Sequence, residues 1–186
     1  YETTCRALLG GKAHDVEGLE RLMRDHYESG ELYRPGPDPS DERFFSVCMH
    51  AGAVGTTAAS VVVELDPDAP LLVHVALTSP CTAPYIPLFG QAPLAPALME
   101  GGAEPSRTSA WWRFDRLREL VAEDWQGRAP RVRDYWRPRE REWREEAQAL
   151  AASAAGPQEL ADFNASVWQR ASADLERLIA ELESDG

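Results

Sequence analysis

Apolar and polar positions along the chain change their period twice. Behind Asp15, a residue suited to capping, Val16, Leu19, Leu22 and Met23 recur at helical spacing, and Arg21, Arg24, Asp25 and Glu28 fill the opposite side. This predicts a helical region over 1–30, closed by Ser29-Gly30. The prolines of Arg34-Pro35-Gly36-Pro37-Asp38-Pro39 then require a loop, since each fixes φ and removes a donor. From 44 to 78 the residues turn β-branched and aromatic. Phe44–His50, Thr57–Leu65 and Leu71–Thr78 read as three strands, the last two joined by the turn-forming Asp66-Pro67-Asp68-Ala69-Pro70. Val61-Val62-Val63 and Leu71-Leu72-Val73 do not alternate, so both faces of these strands are expected to be covered. The Pro-rich stretch 79–107 reads as an ordered irregular segment anchored by Tyr85, Ile86, Leu88 and Phe89. Helical period returns over 108–186. One helix is capped by Thr108 or Ser109 and ends before Gly127-Arg128-Ala129-Pro130. Another begins near Pro138, and a last one after Gly156-Pro157 carries Leu160, Phe163, Val167, Ala171, Leu175, Leu178 and Leu182 on one face. Strands and helices in separate blocks predict an α+β fold, with helices packed on an antiparallel sheet.

Composition narrows the partners. The chain has 186 residues, 44 % of them hydrophobic and 27 % charged, which suits one domain and excludes wholesale disorder. Its formal net charge of −12 opposes nucleic acid and anionic membrane surfaces as partners, and no apolar run is long enough to cross a bilayer. The 3 cysteines, Cys5, Cys48 and Cys81, show no C-x-x-C spacing, so reduced thiols in a cytoplasmic protein are expected. Asn164-Ala165-Ser166 is a formal glycosylation sequon inside a helical pattern and reads as chance. The chain opens Tyr1-Glu2-Thr3-Thr4-Cys5 with no initiator methionine, and is read as part of something longer.

Cys48 and His50, two apart on an expected strand, would share a face, as a nucleophile–base pair or two metal ligands require. The plainer reading is a buried Cys beside a hydrogen-bonded His. No second pair with metal spacing accompanies them, so no metal or other cofactor is expected. Cys81 follows a strand end, with His74 as its candidate base for a self-contained cysteine hydrolase; nothing in the sequence supplies an orienting third group. Arginines and three tryptophans between Arg113 and Arg144 resemble a phosphate- or RNA-binding stretch. Alternation with acids, as in Arg139-Glu140-Arg141-Glu142, fits solvated helix faces with i,i+4 pairs instead.

A further reading comes from likeness. Leu22-Met23-Arg24-Asp25 before Ser29-Gly30, Val47-Cys48-Met49-His50, and Thr56-Thr57-Ala58-Ala59-Ser60-Val61-Val62 resemble the secernin family, which belongs with the bacterial dipeptidase A-type cysteine peptidases. Thr78-Ser79-Pro80-Cys81-Thr82-Ala83-Pro84-Tyr85-Ile86-Pro87 resembles its strand-then-loop segment. Ser109-Ala110-Trp111-Trp112-Arg113-Phe114-Asp115-Arg116-Leu117 resembles its Trp-Trp helix start, and the helix from Arg137 follows in order. The matches span roughly residues 20–150. Phe114-Asp115 stands where relatives often have His-Glu, and the Thr-Thr-Ala-Ser motif is loosened.

The resemblance implies the C-terminal portion of an N-terminal-nucleophile hydrolase, an αββα sandwich of two stacked antiparallel sheets between helix layers. In that class a first-residue Cys attacks an amide carbonyl with its own α-amine as base. Tyr1 is no such nucleophile and Cys5 lacks the family's context, so no catalytic residue is expected within the chain. Thr56, Thr57 and Ser60 are the candidates for lining a pocket that takes a small peptide or amide. The alternative is a non-catalytic relative that binds or scaffolds, with the Leu160–Leu182 face open to a second copy or another partner.

Overall fold

The computed structural model describes residues 2–10, 15–28, 46–50 and 55–185. In chain order these form helices α1 (Glu2–Leu9) and α2 (Val16–Met23) and strands β1 (Ala59–Glu64), β2 (Leu72–Leu77) and β3 (Ile86–Phe89). Helices α3 (Pro96–Met99), α4 (Ala110–Glu123), α5 (Trp125–Ala152) and α6 (Pro157–Ser184) follow. The architecture is mixed α+β: a three-stranded antiparallel sheet, order β1-β2-β3, with helices gathered C-terminally.

Asp15 caps α2 as its position suggests, its carboxylate accepting from Gly18 N at 2.7 Å. The helix stops at Met23, short of Ser29-Gly30, and residues 24–28 are irregular. Phe44 and Phe45 lie outside the described residues, and the expected strand does not form over 46–50. That stretch turns, with only an isolated bridge between His50 and Thr56. The third strand is Ile86–Phe89 instead, within the stretch expected to be irregular. Its four residues are all buried, and Ile86 pairs with Val75 and Phe89 with Leu72. β1 and β2 form the expected hairpin, Val61 opposite Val75. β1 is nevertheless covered on one face only: Ser60 and Val62 are buried, whereas Val61 and Val63, which point to the opposite face, are 48 % and 41 % exposed.

The helices α4, α5 and α6 pack on one another, and α5 and α6 lie against β3. All seven apolar positions read on α6 are buried. α5 departs most from the pattern, starting at Trp125 and running through both Pro130 and Pro138. Each interior proline costs roughly 3 kcal/mol. The face that α5 buries carries Val132, Trp136 and Trp143, and at ~25 cal/mol per Å² over ~150–250 Å² each tryptophan returns about 4–6 kcal/mol. Burial prevails and the helix continues.

The buried Asn164 replaces a missing strand at the β3 edge: Oδ1 accepts from Phe89 N at 2.8 Å, and Nδ2 donates to Phe89 O at 3.1 Å and Pro93 O at 3.2 Å. The sequon asparagine is thus spent inside the fold. Helix arginines pair mainly between helices rather than along one, as Arg139 with Asp174 (2.7 Å) and Arg170 with Glu146 (2.5 Å).

Candidate functional site

Three irregular segments converge beside α5. Residues 24–28 follow α2, and Cys48 N donates to Asp25 O at 3.2 Å, joining them to residues 46–50. Met49 exchanges bonds with Thr57: its N donates to Thr57 Oγ1 at 2.9 Å and its carbonyl accepts from Thr57 N at 3.0 Å. After β2 the chain turns sharply, Thr82 N and Ala83 N both donating to Ser79 O. Tyr27 and Thr78 adopt φ of 62° in these segments, a left-handed conformation costly for both residue types.

The convergence places His26, Cys48, His50 and Cys81 together, one donor atom from each lying within 4.8 Å of all the others, every residue buried. His50 Nε2 stands 3.5 Å from Cys48 Sγ and 3.1 Å from Cys81 Sγ. Glu28 holds the other imidazole, its Oε1 3.0 Å from His26 Nδ1 and its Oε2 accepting from His26 N at 2.8 Å. Trp125 lies edge-on to both imidazoles, and Arg133 sits over Trp125 while donating to Cys81 O at 3.3 Å.

Burial alone pushes the Cys81 thiol up, but hydrogen bonds with Cys48, His26 and His50 outweigh it and hold the thiol well below its ordinary range. Burial pulls the His26 imidazole down, yet its contacts with Cys81 and Glu28 raise it to about 9. Cys48 goes the other way, pushed well above its ordinary value by burial and by Cys81. The set therefore supports a Cys81 thiolate beside a His26 imidazolium oriented by Glu28. With Cys48 and His50 it also offers two sulfur and two nitrogen donors around one point.

Cys81 borders a cavity of about 410 Å³ lined by Arg21, Arg24, Arg133, Arg137, Arg141 and Arg144 against Glu17, Glu20 and Glu140. Among the described residues neither Arg133 nor Arg141 has a carboxylate partner. The far wall is braced by a buried polar network. Glu140 Oε1 accepts from Tyr85 N at 2.6 Å and from Arg24, whose guanidinium also donates to Pro80 O (2.7 Å) and Ala83 O (3.3 Å) and lies over the Tyr85 ring. Glu20 bonds Arg144 at 2.5 Å and faces His74 Nδ1 at 3.6 Å, while His74 Nε2 engages Glu64 at 2.8 Å. Burial raises the Glu20 carboxyl to about 7 and lowers the His74 imidazole.

The structure thus brings Cys48 and His50 together through a turn rather than a strand face, and adds Cys81. The imidazoles beside Cys81 are those of His50 and His26, while His74 is committed to Glu64 and Glu20. Sequence reading missed His26, Glu28 and Arg133. His14, twelve residues before His26 in the sequence, lies outside the described residues. Of the pocket candidates, Thr56 is exposed, Thr57 is tied to Met49, and Ser60 is buried with its hydroxyl 2.5 Å from Tyr85 Oη. None of the three is among the side chains that line the cavity. Glu140, read as part of a solvated face, is buried at the centre of the bracing network. In comparisons with known proteins, the chain matches no family model and no curated protein.

Proposed function

We propose that the chain is the C-terminal part of a cysteine-nucleophile amidohydrolase that cleaves dipeptides or related small amides through an acyl-enzyme, within an αββα sandwich of the N-terminal-nucleophile type. The observation that carries this reading is the guanidinium-rich cavity, in which Arg133 and Arg141 are unmatched by carboxylates of the described residues. A substrate bearing a free carboxylate neutralises such a site, and planar guanidinium groups bind carboxylates with two parallel hydrogen bonds. About 410 Å³ suits a ligand of dipeptide size. The exposed Val61 and Val63 face of β1 fits the sandwich, because a second stacked sheet would cover it. The ordered likeness to the secernin segments points the same way.

In this reading the nucleophilic thiol belongs to a segment preceding the chain. Its sulfur attacks the amide carbon while the α-amine takes the thiol proton. The C–N bond breaks as that proton passes to the leaving amine, and water then cleaves the thioester to a free acid. Arg133 and Arg141 position the substrate carboxylate.

The test is turnover of a dipeptide panel by the protein at its natural length, beside a variant with its N-terminal nucleophile changed to Ala. Turnover lost in that variant is expected, together with a KM raised by Arg133→Ala and Arg141→Ala for free dipeptides but not for their C-terminal amides. Equal turnover with and without the thiol would overturn the reading in favour of a non-catalytic binding protein.

A further inference from the structure

We propose that His26, Cys48, His50 and Cys81 form a tetrahedral zinc site that fastens three loops to one another beside α5. The inference does not rest on the amidohydrolase reading. Its first support is convergence: four donor atoms of the types zinc prefers lie within 4.8 Å of one another, and all four residues are buried. A zinc tetrahedron with Zn–S ~2.3 Å and Zn–N ~2.05 Å has donor–donor edges of roughly 3.3–3.8 Å. The Cys48 Sγ–His50 Nε2 separation of 3.5 Å meets that span. The His50 Nε2–Cys81 Sγ separation of 3.1 Å meets it after opening by about 0.5 Å.

The second support lies outside the ligands. His26 Nδ1 is held by Glu28 at 3.0 Å, which leaves Nε2 as the ring's donor toward the thiols; carboxylate–imidazole–metal relays use this arrangement to fix tautomer and ring direction. Trp125 packs edge-on against both imidazoles, and Arg133 donates to the Cys81 carbonyl. Charge gives the third support. Zinc displaces the protons of the metal-free site, and two thiolates, two neutral imidazoles and one divalent cation then sum to zero, the state a buried site tolerates best.

Two sulfur and two nitrogen donors in a tetrahedron favour zinc over the oxygen-seeking magnesium, calcium or manganese. Four protein ligands leave no open position, so the ion is structural and Cys81 is no nucleophile. Its work is mechanical. Residues 24–28, 46–50 and 78–83 carry almost no regular secondary structure, and a shared ion supplies the cross-link that backbone pairing does not.

The experiment is zinc quantification on the chain purified without chelators, followed by cobalt titration of the chelator-stripped protein. One zinc per chain is expected, with the visible bands of tetrahedral cobalt and near-ultraviolet thiolate-to-cobalt charge transfer. Cys48→Ser and Cys81→Ser lose the metal, and Cys5→Ser keeps it. Because a ligand variant can simply misfold, Glu28→Gln provides the second arm: its four ligands remain and its zinc affinity falls about 10–100-fold. Trace zinc with no tetrahedral cobalt bands, or full zinc in Cys81→Ser, would overturn the proposal. Both readouts need no substrate, so a failed dipeptide assay leaves this site standing and a failed zinc assay leaves the amidohydrolase reading standing.

Discussion

Replacing Glu140 by Ala removes the residue on which the cavity wall is hung. Its carboxylate accepts from the buried Tyr85 N–H at 2.6 Å and from the Arg24 guanidinium, tying α5 to the segments on either side of the Cys/His cluster. Orphaning the amide costs about 1–3 kcal/mol and losing the charge-assisted bond about 1.5–3 kcal/mol. Arg24 keeps its carbonyl acceptors at Pro80 and Ala83 and its place over the Tyr85 ring, which trims the total. A loss of about 3–5 kcal/mol follows, in the range for breaking a buried ion pair from one side. With a urea m-value near 2 kcal/mol/M, the midpoint drops by about 2 M. Glu140→Gln retains an oxygen for Tyr85 N–H and loses only the charge, so about 1–2 kcal/mol is expected. Urea unfolding followed by circular dichroism measures both. Equal losses below about 1 kcal/mol in the two variants would refute the reasoning, since Glu140 would then be an ordinary surface acid.

Three further outcomes follow from buried polar groups. The Glu20 carboxyl, raised from its ordinary 4.5 to about 7, favours the protonated form in the fold; its contribution is whole below pH 4.5 and is lost as pH rises through 7. Across that window stability should fall by up to about 3 kcal/mol, and Glu20→Gln should flatten the slope; parallel slopes in pH-resolved unfolding curves would contradict this. Asn164→Ala strands the Phe89 amide and takes a donor from Pro93 O, while Phe89 O keeps Ala92 N, and thermal unfolding should report a loss of about 2–4 kcal/mol; less than 1 kcal/mol would mean that β3 needs no side-chain edge partner. Thr78, left-handed and buried with an unpartnered hydroxyl, should accept glycine within about 1 kcal/mol, strain relief offsetting lost chain stiffness; a loss above 2 kcal/mol in chemical denaturation would deny the strain.

Regular elements with long amphipathic period were legible from residues alone. α6 is the clearest case, each apolar position of Leu160–Leu182 lying inward, and the β1–β2 hairpin was marked by its Asp-Pro turn. Short elements were not. Ile86–Phe89 looked irregular because its prolines mask a strand whose outer edge is satisfied by Asn164 rather than by another strand. α5 outruns the boundary its prolines suggest because the tertiary burial of Trp136 and Trp143, which no local pattern reveals, outweighs the proline penalties. At the cluster, Cys48 and His50 stood out by spacing, but His26 and Cys81 lie 22 and 33 residues from Cys48 in the sequence and meet it only through loop packing. Glu28, two residues from His26, was the one local sign that this imidazole is oriented.

X-ray absorption at the zinc edge of the purified chain addresses the central claim most directly, because it reads donor identity and distance at once. Two sulfurs at ~2.3 Å and two nitrogens at ~2.05 Å around one zinc per chain are predicted. An oxygen-dominated six-coordinate shell, or no zinc edge, would contradict the assignment of His26, Cys48, His50 and Cys81 as a closed metal site.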